Sequence, residues 1–321
     1  MVDLEQVKNL SEWPKMRSAI EAAVLGTLGV IPPERVELQV KVLDEWQEEG
    51  FVRRRVHYFV DDWTRAPAWL FVPEGKEDIP ALLCCHGRVP QGKDEPAGLE
   101  GEPQFAFARH YASLGYITIA PDAVTAGERV SAGRLPYDTG TFYEDYPQMS
   151  IAGKMLVDHM HAIDVLLEQK RVDGARIGAI GHGLGGFNAL LLAALDERIQ
   201  VCVAKGAFAR FQDGPASRTW LNDDTFLGLP VIEEGAASGQ YPFDWEHLLA
   251  LIAPHPTLVV GAPDDETQSS TTSLDAAVEK TQCIYNLLGA EEALKLVDKK
   301  DLALGTYETQ EIAEEWFERW L

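Results

Sequence analysis

Arg176-Ile-Gly-Ala-Ile-Gly-His-Gly-Leu-Gly-Gly186 runs from an apolar stretch into a turn that is rich in glycine. The apolar residues before the turn predict a buried strand over residues 175–180, and those after it predict a helix over residues 186–196. Glycine adopts backbone conformations that other residues avoid, which suits it to sharp turns. The sequence therefore predicts a strand that enters a helix through a very tight turn.

The same alternation of strand and helix extends in both directions from this turn. Short, continuous apolar runs are typical of strands whose sheet is covered on both faces. Their alternation with helices favours an α/β fold, in which a mostly parallel sheet lies between two layers of helices. The predicted strands are 81–85, 116–120, 199–204, 256–261 and 294–297, and the further helices are 103–114, 150–170, 271–289 and 307–321.

The N-terminal part of the chain follows a different pattern. Residues 1–35 predict a helical arm that ends at Pro32-Pro33. Residues 36–60 alternate in period two, which predicts an antiparallel hairpin, and residues 67–73 predict a third strand. We therefore expect one α/β domain over residues 36–321. Within it, residues 206–243 lack clear periodicity, and we expect a lid or pocket wall over residues 206–250.

The glycine-rich turn has the spacing of the nucleophile elbow, G-x-S-x-G, which places a serine on a strained strand-to-helix turn of α/β hydrolases. Here the five residues read Gly181-His-Gly-Leu-Gly185, so Gly183 stands where the serine would be. Such a conformation costs a residue with a Cβ about 1–3 kcal/mol, and glycine avoids that cost. Gly183 offers no hydroxyl, but the backbone N–H groups from Leu184 onward could still bind an anion or a polarised carbonyl.

Beyond the turn, four further segments carry recognisable motifs: His86-Gly87, Pro121-Asp122 through Gly127-Glu128-Arg129, Gly261 through Asp265, and Trp316–Leu321. With these segments the chain resembles the dienelactone hydrolase and acetyl xylan esterase-like group of α/β hydrolases, over roughly residues 50–321. The resemblance implies an α/β-hydrolase fold with antiparallel N-terminal strands. It also implies an oxyanion loop at His86-Gly87, a catalytic acid at Asp264 or Asp265, and a closing helix over Trp316–Leu321.

Two departures from this family bear on function. The first is Gly183 at the nucleophile position. The second is the loop before the last helix, where the family carries its histidine: residues 298–306 contain none, and the last histidine of the chain is His255. Loss of a triad serine alone costs about 10⁶ in turnover. We therefore expect a pseudo-hydrolase that binds a small carbonyl or carboxylate ligand, or assists a reaction without a covalent intermediate.

Two alternatives stay open. The chain could be a weak or unconventional carboxylic-ester hydrolase in which His182 or a group of the substrate activates water. It could also be an interaction subunit without an active pocket. An open pocket in which Asp264 or Asp265 faces Gly183 would favour the ligand-binding and hydrolytic hypotheses, and a filled pocket would favour the interaction subunit.

Several side chains are candidates for contact with a ligand. His182 neighbours the vacated position, although a side chain there more often points into the structure. His86 is expected to brace the oxyanion loop by hydrogen bonds, Arg88 could bind a carboxylate through two parallel hydrogen bonds or be solvated, and Trp220 in the predicted lid could touch a ligand.

The same glycines also satisfy the dinucleotide pattern G-x-G-x-x-G at Gly181, Gly183 and Gly186. Three observations count against it: the unit lies in mid-chain, the next strand ends in Lys205 rather than an acid, and the surrounding motifs fit a hydrolase. A lysine there could suit NADP.

The cluster Asp158-His159-x-His161 suggests a metal, but helical positions two apart face different directions. We expect no cofactor and no metal.

The composition and charge of the chain limit which partners and which cellular location we expect. The chain has 321 residues, is 46% hydrophobic and carries a formal net charge of -23 at pH 7. Such an acidic protein would be repelled by nucleic acid and by anionic membranes. Four cysteines without disulfide or zinc spacing, and a polar start without a signal-peptide pattern, lead us to expect a cytoplasmic protein. The expected partner is a small molecule, and assembly into a homo-oligomer stays open.

Overall fold

A computed structural model of the protein describes residues 1–32, 36–75, 77–213, 229–261, 271–297 and 307–321. Within these ranges, nine strands form one sheet in the order β1-β2-β3-β5-β4-β6-β7-β8-β9. The strands are β1 (Lys41–Glu48), β2 (Phe51–Phe59), β3 (Arg65–Pro73), β4 (Ile79–Cys85), β5 (Ile117–Pro121), β6 (Val172–His182), β7 (Val201–Lys205), β8 (Thr257–Val260) and β9 (Leu294–Val297).

The sheet has an antiparallel and a parallel part. The pairs β1–β2, β2–β3 and β3–β5 are antiparallel, and every other neighbouring pair is parallel. This confirms the predicted antiparallel start and mostly parallel centre. Because the central strands β4, β6 and β7 are parallel, the loops after their last residues meet at one edge of the sheet.

Helices cover both faces of the sheet. Side chains alternate between the faces along β4, where Leu83 belongs to one apolar cluster and Leu82 to another. Helices α1, α4, α5, α7 and α8 contribute to the first cluster, and α2 and α9 to the second. The helices are α1 (Trp13–Leu28), α2 (Phe107–Ser113), α3 (Phe142–Asp145), α4 (Ile151–Leu167), α5 (Leu184–Leu195), α6 (Pro230–Ser238), α7 (Trp245–Ile252), α8 (Thr271–Leu287) and α9 (Tyr307–Trp320).

The N-terminal arm packs against the domain. Ile20 and Val24 on α1 are fully buried in the first apolar cluster. Ahead of that helix, the backbone carbonyl of Val2 lies 2.7 Å from Nε2 of His247, at the start of α7. The arm is therefore part of the folded core and does not hang free of it. In the described parts of the chain, no helix combines the length and the apolar character that crossing a bilayer requires.

The stretch 206–250 is more regular than its sequence suggested. Its described residues include α6 and α7, and Trp245 of α7 stacks on Phe208 with ring centroids 4.4 Å apart. The helix signals are local: Pro230 opens α6, and Asp244 and His247 form a capping box at the start of α7. The described end of this stretch is thus core, and a pocket wall over residues 214–228 lies outside the described residues.

The predicted helix over residues 103–114 is also interrupted. A short 3₁₀ turn covers Pro103–Phe105, and α2 begins only at Phe107 because Ala106 has a ψ of 47°. This break matters for the site, since it turns the ring of Phe105 toward the end of β6.

Candidate functional site

The tight turn between β6 and α5 is built on Gly183. Its φ of 52° and ψ of -119° lie where residues with a side chain are strained. Its N–H donates to the carbonyl of Lys205 at 2.8 Å, and its own carbonyl accepts from the N–H of Phe187 at 3.0 Å. The turn therefore has the geometry of an elbow, and the residue at its apex has no side chain.

The flanking glycines are required by close backbone contacts. A Cβ on Gly181 would lie 2.3 Å from the carbonyl carbon of Gly185. A Cβ on Gly185 would lie 2.2 Å from the carbonyl oxygen of Cys85, at the end of β4. The glycine pattern thus reflects how tightly the elbow packs on the neighbouring strand.

His182, the last residue of β6, is held by several neighbours. Its ring stacks on Phe105, with centroids 3.7 Å apart and an angle of 8° between the planes. Gly87 lies close to the same ring, and a Cβ there would be 2.4 Å from it. Its Nε2 lies 2.8 Å from Oε2 of Glu95. The side chain thus points into the structure, as most residues at this position do, and forms an imidazole–carboxylate pair.

Glu95 connects the elbow with the loop that follows β4. Its Oε2 accepts a hydrogen bond from the N–H of Gly87 at 3.0 Å as well as the contact from His182. Burial opposes the charged carboxylate, but the hydrogen bond and charge of His182 and the N–H of Gly87 hold the pKa of Glu95 below its usual value. The site therefore contains a buried, ionised carboxylate.

The loop after β4 is braced from both sides. Nδ1 of His86 lies 2.7 Å from the carbonyl oxygen of Gly87, and Nε2 accepts the N–H of Ala123 at 3.0 Å. Burial lowers the pKa of His86, so the neutral ring with a proton on Nδ1 satisfies both contacts. The Tyr137 hydroxyl accepts the N–H of Val89 at 2.8 Å. His86 therefore braces the loop through both ring nitrogens, and its predicted contact with a ligand stays a prediction.

The two other candidates in this region differ in exposure. Arg88 is exposed, and its guanidinium carbon lies 5.7 Å from the centre of the Tyr137 ring. Leu184 is buried as the first residue of α5. Asp264, Asp265 and Trp220 lie outside the described residues, as do residues 298–306. Their predicted roles stay predictions.

The motif from Pro121 to Arg129 supports the segment that carries Glu95. Oδ1 of Asp122 accepts the backbone N–H of Lys93 at 2.8 Å, and Oδ2 accepts the N–H of Glu128 at 3.0 Å. Gly127 has a positive φ of 51°, and a Cβ there would lie 2.0 Å from Oδ1 of Asp122. The motif is thus a scaffold for the loops around the elbow.

Asp158, His159 and His161 each contact different partners and do not form one metal site. Asp158 forms ion pairs with Arg129 at 2.6 Å and with Lys154. Nε2 of His159 is 4.0 Å from Sγ of Cys85, whereas Nδ1 of His161 bonds to the carbonyl of Val157. Across the described ranges, no group of three or more His, Cys, Asp or Glu side chains could hold a metal ion. Burial raises the pKa values of Cys84 and Cys85, so both thiols are inert.

Lys205 ends β7 beside the elbow, in register with His182. It is 1% exposed, its Nζ lies 3.3 Å from the carbonyl oxygen of Thr309, and burial lowers its pKa to about 8. A lysine that is directed into α9 in this way is poorly placed for the 2′-phosphate of a dinucleotide.

We therefore expect NAD and NADP to leave the melting temperature unchanged. Binding at one hundred times the dissociation constant would stabilise the protein by about 2.7 kcal/mol. Differential scanning fluorimetry with each nucleotide up to millimolar concentration measures this, with a known dinucleotide-binding dehydrogenase as positive control. An upward shift with either nucleotide would restore the dinucleotide hypothesis.

A cleft of about 600 Å³ lies elsewhere, between the β1–β2 turn and residues 98–106. Glu48, Phe51 and Arg109 are among its lining residues, and none of the candidates predicted from the sequence belongs to them. The elbow, and not this cleft, is where the sequence motifs meet.

Two contributors to the elbow were not predicted from the sequence, Glu95 and Phe105. Glu95 follows Lys93-Asp94 and has the pattern of a solvated charged turn, yet both Lys93 and Glu95 are 2% exposed. The only signal was position, since Glu95 lies eight residues after Gly87 in the oxyanion-loop motif.

Comparisons with known proteins agree with this architecture. No family model matches the chain. A relative from Bacillus subtilis (strain 168), described as "Putative hydrolase YtaP", is 26% identical over 322 residues, which cover 95% of this chain and 100% of the relative. A second relative, the 2,6-dihydropseudooxynicotine hydrolase of Paenarthrobacter nicotinovorans, is 24% identical over 75% of this chain and 62% of its own length.

Solved structures show the same fold at low sequence identity. A glucuronoyl esterase from Solibacter usitatus superposes with a TM-score of 0.72 at 16% identity, covering 97% of this chain and 94% of that one. An acetyl xylan esterase from Paenibacillus sp. R4 gives a TM-score of 0.61 at 19% identity, covering 98% and 96%. The order of the strands, the elbow after β6 and these likenesses together establish that the chain has the α/β-hydrolase fold of these esterases.

Proposed function

We propose that this chain is a pseudo-hydrolase, which binds a small carbonyl or carboxylate ligand at the elbow without forming an acyl-enzyme. The observation that carries the proposal is Gly183 at the apex of the elbow, with a φ of 52° and no atom that could attack a carbonyl. The absence of histidine from residues 298–306 supports it, because a serine-type mechanism needs a base as well as a nucleophile.

The elbow keeps the features that bind a polarised oxygen. Helix α5 begins at Leu184, directly after the turn, and the first N–H groups of a helix have no partner within it. A helix N-terminus favours negative charge and polarised carbonyl oxygens. The loop from His86 to Val89, held by His86, Tyr137 and Glu95, lies against the same turn. Such a site can orient a small ligand or assist a step that needs no covalent intermediate.

One observation favours the alternative of an unconventional ester hydrolase. Glu95 and His182 form a carboxylate–imidazole pair, and such a pair can help an imidazole to accept a proton from water. Against this, the His182 side chain is buried and Phe105 stacks on its ring. We therefore rank this alternative second.

A fluorophosphonate probe distinguishes serine catalysis from ligand binding and from ester hydrolysis that uses no serine. We expect no stoichiometric adduct and no burst with p-nitrophenyl acetate, because Gly183 offers no oxygen. Intact-protein mass spectrometry after incubation measures the adduct, with an active serine esterase of this fold as positive control. A stoichiometric adduct on another serine, together with esterase turnover that the probe abolishes, would overturn the proposal.

A further inference from the structure

The edge of the sheet opposite the elbow carries a cleft that no sequence motif predicted. Its volume is about 330 Å³, and it lies where β4, β5 and β6 begin, between α2 and α9. Arg176, near the start of β6, lines the cleft, whereas the elbow follows His182 at the end of the same strand. At the rise of an extended strand, about 20 Å separate these two residues. The cleft is therefore distinct from the elbow.

A buried hydroxyl without a hydrogen bond belongs to the wall of this cleft. Tyr111 of α2 lines the cleft and is 1% exposed, and its hydroxyl has no hydrogen-bond partner among the described residues. Burial raises the pKa of Tyr111 well above its usual value, and the charge of Glu314, which also lines the cleft, raises it further. The hydroxyl therefore faces this acid. A buried hydroxyl that binds nothing costs free energy, so it points to a missing partner.

Negative charge dominates the described lining of the cleft. Its acidic side chains are those of Glu77, Asp78, Glu314 and Glu318. Arg176 is the cation among the described lining residues, and its Nε already lies 2.7 Å from Oδ2 of Asp173. Glu314 contacts Nε2 of His110 at 2.7 Å, whereas Glu318 is exposed at the mouth of the cleft. Near neutral pH this excess of carboxylates favours a cationic ligand.

The spacing of the acids and the aromatic wall favour an organic cation over a metal ion. In the part of the chain that the structure describes, no three acidic, histidine or cysteine side chains come close enough to hold a metal. The rings of Tyr111 and Tyr116 lie 5.6 Å apart between centroids, at 84° to each other. Burial raises the pKa of Tyr116, and the charge of Glu318 raises it further, so this ring also lies beside an acid. Aromatic rings attract ammonium groups and pack against methylene chains.

We propose that this cleft binds an elongated organic cation with an ammonium group at each end, such as an alkyl diamine or a polyamine. One ammonium donates hydrogen bonds to the hydroxyl oxygen of Tyr111 and to Glu314, and the other binds Glu318. The methylene chain between them packs against Tyr116 and Leu114, which line the same cleft. Because the cleft is distinct from the elbow, binding here does not depend on the proposed function.

Isothermal titration calorimetry of the intact protein, near neutral pH and at physiological salt, tests this with linear diamines from 1,3-diaminopropane to 1,8-diaminooctane. At least one diamine is expected to bind, at least tenfold more tightly than the monoamine of the same length. Tyr111→Phe and Glu318→Gln should each weaken that binding at least fivefold, because the first removes an acceptor of the ammonium and the second removes a charge. Tyr111→Phe should not lower the melting temperature, since the lost hydroxyl has no partner among the described residues.

Glu49→Gln is the matched control, because Glu49 is exposed and lines the other acidic cleft, of about 600 Å³. It should leave the affinity for the diamine within twofold of the wild type. If no diamine binds at millimolar concentration, or if a monoamine binds as tightly, the site is rejected. The same holds if Glu49→Gln weakens binding as much as Glu318→Gln, since the diamine would then respond only to the overall negative charge. Should Tyr111→Phe fail to fold, an unchanged affinity in Glu318→Gln would still reject the site.

Discussion

Gly183→Ser alone is expected to give little esterase activity, whereas the same change combined with Leu302→His or Ala303→His should give more than the two single changes together. An unassisted serine is a weak nucleophile near neutral pH, and residues 298–306 supply no histidine. Members of a catalytic triad act as a unit, so their effects are strongly non-additive. Turnover of p-nitrophenyl acetate by the wild type, each single variant and the double variants measures this.

The serine should also destabilise the protein, by about 1–3 kcal/mol, because a Cβ returns to a strained backbone conformation. Gly183→Ala is the matched control, since it adds the Cβ without the hydroxyl and should lower the melting temperature by a similar amount. If Gly183→Ser alone reached turnover within tenfold of the double variant, a base would already be present. His182 would be the first candidate, and the pseudo-hydrolase proposal would be wrong.

Lys205→Met is expected to stabilise the protein near neutral pH. Burial lowers the pKa of Lys205 to about 8, whereas a lysine in the unfolded chain keeps an ordinary value near 10.5. Since each pKa unit corresponds to about 1.4 kcal/mol, protonating this lysine in the fold costs up to about 3 kcal/mol at pH 7. Loss of the hydrogen bond to Thr309 offsets a part of the gain.

The stability advantage of Lys205→Met is expected to depend on pH. Between about pH 8 and 10.5, the unfolded chain binds more protons at Lys205 than the folded protein does, so the wild type gains stability as the pH rises. The advantage of Lys205→Met should therefore be largest below pH 8 and shrink toward pH 10.5. Urea unfolding of both proteins across this range measures it, with the exposed Lys15→Met as control. A constant difference, or a destabilised variant at pH 7, would contradict the prediction.

Most of the fold could be predicted from the sequence because its strands are continuous apolar runs. The strands β4 to β9 were each placed within a few residues, and the elbow was located from its glycines alone. Helices α6 and α7 were missed although their starts carry local signals, Pro230 for α6 and Asp244 with His247 for α7. Both helices are short, at nine and eight residues, so each contains little more than two turns of the helical period.

The site was harder to predict, because its contacts join distant parts of the chain. His182 was a candidate from its place beside Gly183, but its partner Glu95 lies 87 residues away in sequence. Phe105 became a neighbour of His182 only through the break at Ala106, which a helical pattern over residues 103–114 does not reveal. Pairings of this kind depend on how loops fold over the sheet, and local periodicity carries no information about them.

The contact between Gly87 and His182 also limits the order in which substitutions at these two positions can accumulate. Any side chain at position 87 would lie within 2.4 Å of the imidazole, so such a substitution is strongly unfavourable while the histidine is present. Once residue 182 has become smaller, the same substitution would meet far less resistance. The two positions are therefore epistatic, and residues in contact commonly are. Of the two orders in which both residues could be replaced, the one that begins with residue 182 is therefore the more accessible. This restriction on residue 87 holds even though no serine stands at the elbow.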